Sequence, residues 1–203
     1  MTGFDFFISN IEDGILGALR SELDYVKDFA TYGGELDSEQ LRRALGELTS
    51  RLPLILVSYG DGQDVQDPRT AAVMDEPRIY RHDCTFTVIC CSGDARGDLA
   101  RRRNATGTYR MIADVRLTLG GLKFTALDGP ESVLLNPEPL KYAGVEYLAR
   151  LPDLTAYAVH FETYIRFAEK DRRQAGSLVQ EVVIEVENTY PKTGQSLPGV
   201  VIR

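Results

Sequence analysis

Arg81-His82-Asp83-Cys84-Thr85-Phe86-Thr87-Val88-Ile89-Cys90-Cys91 is the stretch from which the fold is read. Cys84, Phe86, Val88 and Cys90 alternate with His82, Asp83, Thr85, Thr87 and Ile89, a period of two that indicates a strand. Ser92-Gly93-Asp94 breaks the run. The arginine cluster Arg101-Arg102-Arg103 then leads into Asn104, a residue type suited to a helix N-cap. From there Tyr109, Ile112, Val115 and Leu119, with Met111 beside them, fall at helical spacing. Gly120-Gly121 ends the pattern where a left-handed cap would sit. The middle of the chain is therefore a buried strand followed by an amphipathic helix, and the flanking segments must supply the elements that pack against it.

On the N-terminal side, Ile8, Ile11, Ile15, Leu16, Leu19, Leu23 and Val26 recur at helical spacing, with Ser9 or Asn10 as the expected cap. Gly14 and Gly17 lie inside this helix and cost it ~1 kcal/mol each. They are expected to be tolerated within a packed helix, the alternative being close approach of a neighbouring backbone. Phe29 to Leu36 is a turn-rich link. Leu41, Ala44, Leu45 and Leu48 form a second short helix capped by Asp37 or Ser38 and closed by Pro53. Leu54-Ile55-Leu56-Val57-Ser58-Tyr59 is short and apolar enough for a buried strand, and Gly60-Asp61-Gly62 is expected to end it. Gln63 to Ile79 is polar, carries Pro68 and Pro77, and reads as an insertion or a long hairpin arm (63–79).

On the C-terminal side, Lys123 to Leu127 leads to a turn at Asp128-Gly129-Pro130. Val133 to Leu135 and Val145 to Leu148 are short strand candidates, separated by Asn136-Pro137-Glu138-Pro139. Tyr157 to Ile165 alternates well and should pair with the central strand. Beyond Phe167 the composition changes. A charged stretch precedes a strand, Leu178 to Val186, and a Pro- and Gly-bearing close that ends in apolar Val200-Val201-Ile202. Residues 1–167 read as one α/β domain and 168–203 as a C-terminal extension or arm.

Composition limits what such a chain can do. A chain of 203 residues, 43 % hydrophobic, suits one domain with a sizeable core. No apolar run approaches the ~20 residues a bilayer requires, so no membrane role is expected. Met1 to Phe7 has no basic region of the kind that opens a secretory signal. Cys84, Cys90 and Cys91 are odd in number and share one strand, which suits reduced, buried thiols better than disulfides. The net charge of −7 argues against gripping nucleic acid through its phosphates, but not against letting DNA slide past.

A search for chemistry ends without an active site, cofactor or metal centre. His82-Asp83-Cys84 lacks a second cluster at ligand spacing to complete a metal site, and a strand histidine at a surface or packed edge accounts for His82. Cys90 and Cys91 are adjacent on a strand and point to opposite faces, so they cannot share a metal or a proton relay. Gly60-Asp61-Gly62 follows a strand but lacks the spacing and the basic residue of a phosphate loop. Arg101, Arg102 and Arg103 could meet phosphate at a helix N-terminus. A solvated run, or ion pairs with an acidic neighbouring subunit, is the favoured account. Surplus interaction surface does stand out. The strand through Val182, Ile184 and Val186 has no obvious local partner and invites docking on another chain, the alternative being that it folds back on its own sheet.

Ile11-Glu12-Asp13 with Ile15 and Leu19, Tyr32-Gly33-Gly34-Glu35-Leu36, Leu52 to Val57, Phe86-Thr87-Val88, Ala95-Arg96-Gly97, Arg101-Arg102-Arg103 and Gly107-Thr108-Tyr109 follow one another in an order with a known counterpart. From about Ile8 to Ile165 the chain resembles a tail protein family of Mu-like phages and prophages whose gene precedes that of the tail sheath. That family looks like tail terminators or tail-completion proteins. The resemblance implies an α/β (α+β) fold with a central, mostly antiparallel sheet flanked by helices. It implies a non-enzymatic virion protein, assembled in the host cytoplasm into a hexameric ring at the head-proximal end of a contractile tail. Its partners would be further copies of itself, the tail tube and sheath proteins and the head–tail connector or neck proteins, with DNA passing through unbound. An acidic protein suits such a channel. The rival readings are a head-completion or connector neck protein and, from another class, a small ligand-binding or enzymatic phage protein.

Overall fold

The computed structural model describes residues 4–32, 51–66, 79–94, 98–128, 131–151, 154–168, 182–184 and 200–202. The helix expected at 41–48 lies outside them. The N-terminal apolar stripe forms α1, Phe4–Glu22. Ile11, Ile15 and Leu19 are fully buried, and Leu23 and Val26 carry the same core contact past the last turn. The helix begins ahead of Ser9 and Asn10, so neither caps it. Phe7 and Ile8 already pack on the core, and the stripe therefore requires helix before them. Gly14 is more than tolerated. A Cβ there would lie 2.7 Å from Cδ1 of Phe124, so the glycine makes room for an aromatic ring rather than for a backbone.

After α1 comes β1, Asp28–Thr31, which runs parallel to β2, Leu54–Gln66. The predicted central strand is β3, Ile79–Ser92, antiparallel to β2 along nearly its whole length. Gly60-Asp61-Gly62 does not end β2. The chain bulges between Tyr59 and Gly62 and pairing resumes at Gly62↔Cys84. A bulge inserts an extra residue yet lets the ladder continue. The arm at 63–79 is thus, in its described parts, the two legs of a β2–β3 hairpin that reach Gln66↔Tyr80.

Two helices follow. The arginine cluster lies within α2, Asp98–Arg103. The amphipathic segment forms α3, Thr108–Leu119, with Met111, Val115 and Leu119 buried. Asn104 is not the cap of α3; Gly107 is. Asn104 instead closes α2: its N–H donates to the Ala100 carbonyl, and its side chain joins Asp94 to the Thr106 N–H. The short polar side chain that favours an N-cap also favours such a local turn. The left-handed residue after α3 is Gly121, at φ 88°, while Gly120 is extended.

A hairpin of β4, Thr125–Asp128, and β5, Glu131–Leu134, precedes β6, Lys141–Leu151, and β7, Leu154–Ala168. β7 pairs with β3 from Ile79↔Ala168 to Ser92↔Thr155, as its alternation indicated. The sheet order is β1-β2-β3-β7-β6. It is a mixed, mostly antiparallel α+β sheet, because the β1–β2 ladder alone runs parallel. On one face Phe86, Val88, Cys90, Val159, Phe161 and Ile165 meet α1 and α3 in the main core. On the other face Leu54, Leu56, Ile89, Cys91, Leu154 and Ala156 form a smaller apolar cluster at one end.

The C-terminal strand is β8, Val182–Ile184, and it has a local partner. It pairs antiparallel with β9, Val200–Ile202, as a separate two-stranded sheet whose β8 lies beside β4. The unit joins neither edge of the five-stranded sheet. Val186 lies outside the described residues.

Candidate functional site

The three cysteines are all buried and free. Burial pushes the thiols of Cys84 and Cys91 up to about 12 and that of Cys90 well above its ordinary value, so none offers a thiolate. Cys90 faces the main core and Cys91 the smaller cluster, as the alternation requires. No group of three or more His, Cys, Asp or Glu among the described residues could hold a metal ion. No helix among them is long and apolar enough to cross a membrane.

His82 is buried rather than set at a surface. Its Nδ1 lies 2.6 Å from Oδ1 of Asp64 and its Nε2 2.8 Å from the hydroxyl of Tyr59. The order Asp–His–hydroxyl resembles a relay, but desolvation raises the Tyr59 phenol and leaves it a poor nucleophile. The three residues bridge the β2 bulge to β3. A Cβ on Gly62 would fall 2.1 Å from Nε2 of His82, so the glycine is what lets the ring in. Glu12 of α1 accepts the Tyr59 N–H at 2.6 Å, and burial raises its carboxyl. The network ties α1 and the β2 bulge to β3. Nothing in the local sequence could reveal it, because Asp64 is eighteen positions from His82 and meets it only through the hairpin register.

Below the bulge, a cleft of about 670 Å³ is lined by Asp61, Arg81, Asp83, Glu138, Lys141 and Glu162 among others. Arg81 Nε donates to Asp83 at 2.5 Å and its guanidinium lies over the Tyr164 ring. Lys141 pairs with Glu138. Asp61 and Glu162 have no cation partner among the described residues, so the cleft keeps an excess of negative charge. It is polar, broad and open, unlike the apolar enclosure typical of a small-molecule site.

The arginines of α2 separate into two kinds. Arg101 is 4 % exposed. Its Nε donates to Oγ1 of Thr155 at 3.3 Å and its Nη1 to the Asp94 carbonyl at 3.2 Å, while Ser92 donates to the Arg101 carbonyl at 2.6 Å. It fastens α2 to the ends of β3 and β7. Arg103 is exposed and has no carboxylate partner among the described residues. Arg102 donates to the Tyr109 hydroxyl at 3.1 Å and stands over that ring. Tyr109 meets Tyr157 edge-on at 6.0 Å, and Tyr157 meets Tyr147 at 5.2 Å. The hydrogen bonds from Tyr157 and Arg102 lower the Tyr109 phenol. Val145, Tyr147 and Tyr109 are each more than 40 % exposed, which makes one continuous aromatic and basic surface beside the edge strand β6. The sequence shows Arg102 and Arg103 but not this surface, because β6 and β7 bring Tyr147 and Tyr157 to it from far along the chain.

The described residues thus present a set of surfaces, and their kind is decided by relationship. The family described as Bacteriophage Mu, Gp37 matches residues 7–165. The chain belongs to that family. As a Gp37-family protein it is a structural protein of a phage virion. The match runs from α1 through β7 and stops short of β8 and β9. Comparison with curated proteins gives no match. Among solved structures, a chain in the virion of a native gene transfer agent particle is similar at 15 % identity and a TM-score of 0.39, covering 77 % of this chain and 95 % of that one. A likeness that distant carries no argument about function.

Proposed function

We propose that this Gp37-family chain is a tail terminator. Copies of it form a ring, six in number by the family resemblance, on the head-proximal end of a contractile tail. The ring stops polymerisation of the tube and sheath and offers a surface to the connector or neck proteins. DNA leaves through its centre without being bound. The observation that carries the reading is the extent of the family match, which takes in the whole sheet-and-helix unit. The edge position of β6 among the described strands supports it, since a long edge strand with exposed Val145 and Tyr147 suits a subunit contact. The acidic balance supports the open channel.

Arg102, held against Tyr109, and exposed Arg103 are the basic residues that face a neighbour. Arg101 orders them from within. The β8–β9 unit, with Val182 and Ile184, and Val186 beyond it, is the arm that reaches an adjacent subunit or the sheath. Deleting 178–203 is expected to block virion assembly while the far-ultraviolet dichroism of the 1–177 chain stays native-like. An assembly-competent deletion removes the arm from the proposal.

The deciding experiment is electron microscopy of lysates from a phage with a nonsense mutation in this gene. Over-long, unattached tails are expected. Tails of normal length beside full heads would assign head–tail joining instead, and intact infectious particles would refute a neck role altogether.

A further inference from the structure

Two of the surfaces described above are complementary and lie on the same molecule. The first combines Arg102, Arg103, Tyr109, Val145 and Tyr147. It stands on the helix-covered face of the sheet, because Tyr109 packs on Tyr157 and Tyr157 shares the parity of Val159 and Phe161 along β7. It also lies at the end where Ser92 pairs with Thr155 and Arg101 fastens α2. The second is the acidic cleft, where Asp61 and Glu162 have no cation partner among the described residues. Glu162 has the opposite parity to Phe161, and so does Asp83 to Cys84, which sets both on the other face of the sheet. From Thr155 to Glu162 along β7 is about 23 Å at ~3.3 Å per residue. The molecule is thus polarised, with an aromatic, cationic surface at one end and face and an anionic cleft at the other end and the opposite face.

We infer that the Arg102–Arg103–Tyr109–Tyr147 surface of one copy docks into the Asp61–Glu162 cleft of the next, head to tail. A second copy is the occupant that fits both surfaces, since each supplies what the other lacks. Two different patches in one contact make the interface heterologous, and a heterologous contact repeats around a ring where a self-complementary one stops at a dimer. Tyr109 and Tyr147 provide rigid anchors of the kind that dominate binding, and Arg102 arrives already held against a ring. The inference rests on the ring reading for its biological setting and names the faces that meet.

The test uses the full chain and two charge reversals at surface positions, R102E/R103E and D61K/E162K, each checked for a native dichroism spectrum. Self-association is followed by sedimentation velocity over a concentration series, at low and high salt. Each variant alone is expected to raise the self-association constant for dissociation about a hundredfold, since like charges then face each other. An equimolar mixture of the two is expected to associate as wild type does, because each reversed face then meets its opposite. Loss in one variant only, or a mixture that fails to associate, overturns the contact. Wild-type-like association of both variants also overturns it and leaves the ring reading intact, to be judged by tail length. A wild-type chain that stays monomeric throughout overturns the contact as well. So does R102E/R103E weakening retention of a short DNA duplex while leaving self-association unchanged, which would assign the basic surface to nucleic acid.

Discussion

Replacing Gly14 by alanine sets two effects of opposite sign against each other. In an open helix the change stabilises by about 1 kcal/mol, because alanine gives up less backbone freedom. Here the added methyl would sit 2.7 Å from Cδ1 and 3.0 Å from Cε1 of Phe124. Ordinary carbon contacts lie at ~3.5–4.0 Å, so ring and helix must part by about 1 Å. Phe124 is fully buried and its N–H is held by Oδ1 of Asn136 at 2.5 Å, which leaves the ring little room to turn away. Overpacking of this kind costs about 1–3 kcal/mol. The net expectation is a loss of about 0–2 kcal/mol and a fall in Tm of up to roughly 8 °C for a chain of this size. The assay is urea unfolding followed by far-ultraviolet dichroism, run on G14A, F124L and the double variant. In the F124L background the clash is gone, and G14A should become neutral or stabilising, a coupling of about 1–3 kcal/mol. G14A with the same effect in both backgrounds, or one that stabilises the wild-type chain, would refute the reasoning.

Other substitutions test other parts of the fold. R101A is expected to cost about 2–3 kcal/mol because it strips a buried cation from Thr155 and Asp94, whereas R103A should stay within about 0.5 kcal/mol; equal losses by denaturant unfolding would contradict the division of the α2 arginines. N136A leaves the Phe124 N–H and the Leu122 carbonyl without their side-chain partner, and a loss of about 2–4 kcal/mol is expected from the same assay. H82A should cost about 1–3 kcal/mol by breaking the link between Asp64 and Tyr59, measured against D64A to show that the two losses are not additive. For pH, the folded thiols of Cys84 and Cys91 titrate near 12 against an ordinary 9.0, so the folded state holds its protons more tightly. That contribution is complete below pH 9 and is lost as pH rises toward 12. Thiol-reagent titration at pH 8 should therefore find the native thiols silent and all three reactive after unfolding.

Periodicity made the central strand, α1, α3 and the β3–β7 pairing legible, because each buries one continuous face and the side-chain pattern records it. The misreadings occur where one residue type serves two geometries. Asn104 has the side chain of an N-cap and uses it to close a turn after α2. Gly60-Asp61-Gly62 has the composition of a strand end and makes a bulge, since glycine suits both. β6 was visible only at Val145 to Leu148, because an edge strand with one half-exposed face alternates weakly; its true extent is Lys141–Leu151. Of the candidate interface, Arg102 and Arg103 could be read directly. Their aromatic neighbours, and the acidic cleft at the far end of the sheet, exist only once the register of β6 and β7 is set. Arg101 looked like its two neighbours, and only packing against Thr155 distinguishes it.

The pairing of β3 with β7 bears on how the chain is made. Cys84 of β3 contacts the carbonyl of Thr163 across 79 positions. During synthesis the β2–β3 hairpin emerges long before β7, with one side of β3 still lacking its ladder and its apolar residues exposed. Such non-local closure is slow, and an unfilled central edge can recruit the same edge of another nascent chain. The window closes when Ala168 leaves the ribosome. Production of the correctly folded chain is therefore paced by the translation of residues 93–168 and by whatever shields β3 in the meantime.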